Sequence, residues 1–138
     1  MTRIGVLFAA LFLAVSVNAN ETRDVFEGKL FPPNVVLEYR EELKLTKAQY
    51  TEIRAAVVSV QAEVAEHEWD MQEAYSRVMN LLDKRPLDES LVTREVTAVL
   101  QAENKVKLAQ MTMLVRIRNL LDEEQVAFLE ANWSQKDD

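Results

Sequence analysis

Glycine and proline are so scarce in this 138-residue chain that their positions nearly dictate its backbone. Glycine stands only at positions 5 and 28 and proline only at 32, 33 and 86, leaving two stretches of about fifty residues each that contain neither. These two residue types disfavour a helix interior most, proline by about 3 kcal/mol, so their absence predicts two long helices with one reversal near Pro86. The apolar pattern agrees. From Thr46 to about Leu82 a seven-residue repeat places Tyr50, Val57, Val64, Met71 and Val78 at one seam position and Ile53, Val60, His67, Ala74 and Leu81 at the other. Such a stripe is the signature of coiled-coil packing. Asp83 to Leu87 form the expected turn, and Asp88 is a suitable N-cap for the next helix. That helix, to about Leu120, sets Val92, Val99, Val106, Met113 and Leu120 against Val96, Glu103, Gln110 and Ile117. The expectation is an all-α fold built on a long antiparallel helical hairpin. A turn centred on Pro86 brings His67 within roughly one helical turn of Glu103 and Val106.

Two short segments punctuate this pattern. Leu45-Thr46-Lys47-Ala48-Gln49 and Leu121-Asp122-Glu123-Glu124-Gln125 share a leucine, a capping residue, two variable positions and a glutamine. A Thr or Asp oxygen at the N-cap accepts from a helix amide that has no partner within the helix. Glutamine three residues on reaches back to the N-cap amide and completes a capping box. Each segment is therefore expected to open a helix. Pro33 to Leu43 fits a short first helix with Pro33 in its first turn, and the helix opened at Asp122 is a short closing one.

These paired segments carry a family resemblance. The chain resembles the Spy/CpxP family of periplasmic stress proteins, and the related zinc-resistance and heavy-metal sensor proteins, whose hallmark is an LTxxQ motif that occurs twice. Leu45, Thr46 and Gln49 match the first copy in full; Leu121, Asp122 and Gln125 match the second with aspartate in place of threonine, which preserves the capping chemistry. The resemblance spans roughly residues 30 to 133. It implies an ATP-independent chaperone, or a modulator of envelope-stress signalling, that binds unfolded or envelope proteins or a sensor kinase. The metal-sensing relatives imply a second reading, a periplasmic protein that binds zinc, nickel or copper.

The remaining sequence sets the compartment. Arg3, the apolar run Ile4–Val15 and the small-residue site Val17-Asn18-Ala19 read as a cleavable secretory signal peptide over residues 1–19. The apolar run falls short of the ~20 residues that span a bilayer, so no stable membrane insertion is expected after cleavage. A periplasmic protein follows, with residues 20–32 as a flexible arm, 33–133 as a single helical domain and 134–138 as a tail. The full chain carries a net charge of −7, and removal of residues 1–19 takes away Arg3 alone and makes it −8. That balance argues against nucleic acid and anionic membrane surfaces, both of which select basic patches. With no cysteine, an exported chain is held by packing alone or by packing plus oligomerisation. Two long helices and two short ones cannot cover every apolar side chain beside the seam, Val58, Leu100, Leu108 and Val115 among them, so a homodimer or a protein partner is expected. The competing arrangement is a compact four-helix monomer.

His67 is the only histidine, and the repeat sets it on the seam. Two readings stand side by side. In one, His67 bonds a carboxylate and fixes helix register, as polar seam residues do. In the other, Glu63 one turn before it and Met71 one turn after supply a carboxylate and a thioether beside the imidazole for a divalent transition metal such as zinc, and a dimer doubles the ligand set. No phosphate loop, nucleophile elbow, or second histidine or cysteine to activate a nucleophile is present, so no enzymatic activity is expected.

Overall fold

The computed structural model describes Phe26 and residues 28–133; the expected signal peptide, most of the arm and the tail lie outside the described residues. The described residues are all-helical, with four helices: α1 (Pro33–Glu38), α2 (Lys47–Leu82), α3 (Glu89–Leu120) and α4 (Glu123–Asn132). The two long helices, of 36 and 32 residues, pack along each other. Each long helix starts where a side chain can cap it: Thr46 accepts from the amide of Gln49, and Asp88 from that of Leu91 at 3.0 Å. No helix among the described residues is long and apolar enough to cross a membrane.

The first helix is shorter than the Pro33–Leu43 span expected from sequence. It ends at Glu38, and the chain continues in turns to Lys44, whose φ of 50° lies in the left-handed region. That conformation lets the Leu45 amide donate to the Arg40 carbonyl and the Lys44 amide to that of Glu41, the pattern of a Schellman-type stop. A lysine held there is strained by its Cβ. The segment expected as a flexible arm is also partly packed. Phe31 is 0% exposed, its ring meets Trp133 edge to face at 6.0 Å, and the Arg118 guanidinium lies 6.0 Å from its centroid. Arg118 further donates to the Lys29 carbonyl, which ties the segment before α1 to the end of α3.

The interior divides into two clusters. One surrounds the four chain segments near the two capping motifs and contains Phe31, Val36, Ile53, Ile117 and Leu129, each burial contributing about 1.5–3 kcal/mol. The other, nearer the 83–88 connection, contains Met71, Ala74, Val78, Val99 and Ala102. Along α3 the expected seam residues Val99, Val106 and Ile117 are buried, but the second seam position shifts by one residue over two heptads. Ala102 and Ala109 are buried, whereas Glu103 and Gln110 sit at the half-buried margin and Val96 is exposed. Alanines let the backbones approach, and Glu103 rotates aside to accept from the Tyr75 hydroxyl at 3.1 Å. Glu103 thus bonds Tyr75, and His67 shares a cleft with Lys105 and Ala109 on either side of Val106, close to the register expected from Pro86.

Since Lys44 is held in a conformation that glycine adopts freely, Lys44→Gly is expected to raise stability by up to about 1 kcal/mol, the greater freedom of glycine in the unfolded chain offsetting part of the gain. Urea denaturation of both proteins measures it; a loss of stability would show that the lysine is not strained.

Candidate functional site

Both capping boxes are complete. The Thr46 hydroxyl accepts from the Gln49 amide and the Gln49 carboxamide oxygen accepts from the Thr46 amide, each at 3.1 Å. The Asp122 carboxylate and the Gln125 side chain make the same exchange at 2.8 and 3.0 Å. What sequence reasoning missed is that the two boxes are joined. Gln49 Nε2 donates to Gln125 Oε1 at 2.7 Å, and Gln125 Nε2 donates back to Gln49 Oε1 at 3.1 Å. Their second amide protons go to backbone carbonyls of the opposite segment, that of Leu120 at 2.8 Å from Gln49 and that of Leu43 at 3.0 Å from Gln125. Each carboxamide has two donors and an oxygen with two lone pairs, and all are used. Gln125 is 6% exposed, so this saturation is what makes its burial tolerable. The motif leucines precede the caps and pack on the adjoining cluster, Leu121 buried and Leu45 partly so. These six residues hold the ends of the helices together, and they present no reactive group.

His67 and Glu63 occupy a different place. His67 Nε2 lies 3.7 Å from Glu63 Oε1, and His67 Nδ1 is buried with no hydrogen-bond partner. They line a cleft of about 170 Å³ between the two clusters, with Lys105, Leu108, Thr112 and Arg116 of α3 on its other wall. Met71, one turn beyond His67, is buried in the second cluster instead. Two donors are half of a four-coordinate zinc site. Among the described residues no group of three or more His, Cys, Asp or Glu side chains could hold a metal ion.

Polar groups at the seam are paired in ways the repeat did not indicate. Glu95, 14% exposed, takes a 2.7 Å bond from Arg77 Nε, which holds its carboxyl below the usual carboxylate range. Burial, then the charge and hydrogen bond of Glu103, push the Tyr75 hydroxyl above its usual value. A tyrosine one position past a seam alanine and an arginine facing a glutamate on the next helix were the available signals.

Away from the seam, large apolar side chains stand in solvent. Trp69 is 66% and Leu108 67% exposed, and Val58 on α2 and Leu100 and Val115 on α3 are also exposed. A scan against protein-family models and searches of curated proteins and of solved structures found no match.

Gln125→Ala strands the Leu43 carbonyl and the Gln49 carboxamide, so it is expected to cost about 2–4 kcal/mol, against about 1–2 for the more exposed Gln49→Ala. In a double-mutant cycle the two are expected to couple by at least about 1 kcal/mol; additive losses would mean that the two boxes act separately. The Glu95 carboxyl, lowered from its usual 4.5, contributes stability that is fully present above that value and lost as pH falls through the folded-state pKa. Arg77→Gln is therefore expected to flatten the acid limb of stability against pH while leaving the shape near neutrality unchanged, read by thermal melts across the acid range.

Proposed function

We propose that this chain is an exported, periplasmic stress protein of Spy/CpxP type, non-enzymatic, that binds other proteins through the outward surfaces of an antiparallel helical hairpin, as an ATP-independent chaperone or as a modulator of envelope-stress signalling. The observation that carries this reading is the set of large apolar side chains in solvent along both long helices, Val58 and Trp69 on α2 and Leu100, Leu108 and Val115 on α3. Scattered singly such residues need no explanation, but here they recur along two rigid helices whose own interior is already packed. Apolar contact is non-directional, so the same surface suits many unfolded segments without a nucleotide-driven cycle. The hairpin itself is supported by cross-helix pairs that run in opposite senses: Gln49 reaches Leu120, Tyr75 reaches Glu103 and Arg77 reaches Glu95, the partner number falling as the residue number rises. A homodimer accompanies this reading because one layer of two helices leaves apolar surface on both sides. Export rests on the N-terminal signal sequence and its cleavage site.

A second reading has one observation in its favour. His67 and Glu63 share a cleft, and the buried Nδ1 of His67 lacks the partner that a histidine ordinarily finds. On that reading the protein senses or sequesters a divalent transition metal, with further donors from a second copy.

Light scattering of a denatured client distinguishes the two. The protein at several-fold molar excess is expected to suppress client aggregation, and Val58→Ser with Trp69→Ser is expected to weaken suppression several-fold while helicity is retained. Unchanged aggregation overturns the chaperone version. Isothermal titration with zinc and nickel tests the alternative: saturable binding at micromolar or tighter affinity, lost in His67→Ala, would establish it.

A further inference from the structure

Beside the His67 cleft the exposed charges differ in sign between the two long helices. Glu63, Glu66, Asp70 and Glu73 follow one another at i, i+3, i+7 and i+10, and so form a single row on α2; all four are exposed. Glu63 lines the His67 cleft, which places this row on the cleft side of the two-helix layer. On the same side α3 presents Lys105 and Arg116, with exposed Leu108 between them, lining the opposite wall. Glu66, Asp70, Lys105 and Arg116 make no ion pair among the described residues, although rows of opposite sign lie on neighbouring helices. One broad face therefore carries an acidic edge, whose outer residues Glu63 and Glu73 pair with His67 and Arg77 of the same helix while Glu66 and Asp70 stay unpaired, and a basic edge with Lys105 and Arg116 unpaired, with a shallow cleft and an exposed leucine between.

We propose that this face is a self-complementary docking surface for a second copy of the chain, packed face to face about a two-fold axis parallel to the long helices. It rests on the two-copy reading above and adds to it the face and the symmetry. A two-fold interface brings one patch against itself, so the axis direction decides which edges meet. An axis parallel to the helices lays α2 of each copy over the partner's α3, setting Glu66 and Asp70 against the partner's Lys105, and Glu63 near the partner's Arg116. An axis lying across the helices in the plane of the face lays α2 on α2 and α3 on α3, and every edge then meets its own sign, which is unfavourable. The charge pattern selects the first arrangement. It also closes the cleft beside Leu108 and covers that side chain, the largest apolar exposure on this face. The opposite side of the layer remains for other proteins.

The test is the mass in solution of the full chain, expressed with its own N-terminus and purified, measured by sedimentation across a concentration series. The wild type is expected to form a two-copy species whose dissociation constant rises as salt screens the rows. Lys105→Glu with Arg116→Glu makes the face wholly acidic, and Glu66→Lys with Asp70→Lys makes it largely basic. Each variant alone is expected to weaken self-association by about tenfold or more, at unchanged helicity by circular dichroism. Mixed in equal amounts, the two variants are expected to associate with each other, since each α2 then meets an α3 of opposite charge. A wild type that stays monomeric overturns the proposal together with the two-copy reading. A wild-type dimer indifferent to both double substitutions overturns this face alone and leaves the two-copy reading standing. Failure of the mixed variants to associate overturns the pairing of opposite charges across this face.

Discussion

Everything at the closed end of this structure depends on two glutamine side chains that bond each other. Gln49 and Gln125 each serve three partners at once: the start of their own helix, the other carboxamide and a carbonyl from the opposite segment. Few other side chains could do this. Glutamate would set two carboxylates against each other and has no protons for the Leu43 and Leu120 carbonyls, and asparagine is one methylene short of reaching back to the cap. The pair also explains why the hydrophobic material collects where it does. Phe31, Ile53, Ile117, Leu129 and Trp133 surround the place where α1, α2, α3 and α4 converge, because the hydrogen bonds bring those segments together and apolar packing then shields the bonds from water.

The middle of the two long helices is organised differently. Between the clusters the seam relies on Val60, Val106 and Ala109, and the next large polar residue, His67, faces a cleft instead of a packed neighbour. Small side chains bring the backbones close but bury little area, so the packing there is thinner than at either end. Charged groups compensate partly toward the connection, where Arg77 holds Glu95. The same region carries the most exposed aromatic and aliphatic side chains, Trp69 and Leu108. Thin packing and outward apolar surface coincide in this stretch.

Much of this was legible in the residues because it is local. The extents of α2 and α3 follow from the placement of Gly and Pro, from caps at Thr46 and Asp88 and from a repeat dense in valine. The one-residue shift in the α3 seam was not legible: alanine adds little to a hydrophobic pattern, so Ala102 and Ala109 looked no more interior than Glu103 and Gln110, and only the space between two particular helices decides among them. Phe31 ends a polar, mixed stretch that by itself indicates an arm, and its role is set by Trp133, about a hundred residues later. The glutamine pair escaped for the same reason. Each box is complete as a local motif, and nothing within five residues reveals that its carboxamide has a second partner.

That remoteness also governs the order in which the chain assembles. The connection at residues 83–88 joins α2 to α3 directly, so contacts near it close short loops, whereas Gln49 and Gln125 stand 76 positions apart and close a long one. Loop-closure cost alone favours early contacts in the Met71–Val99 cluster and later ones at the glutamines, which would make the glutamine bonds a feature of the native state more than of the barrier before it. Interactions of that kind set how slowly a protein comes apart, with little bearing on how fast it forms. In that case the two glutamines act as a timer on the lifetime of the folded state.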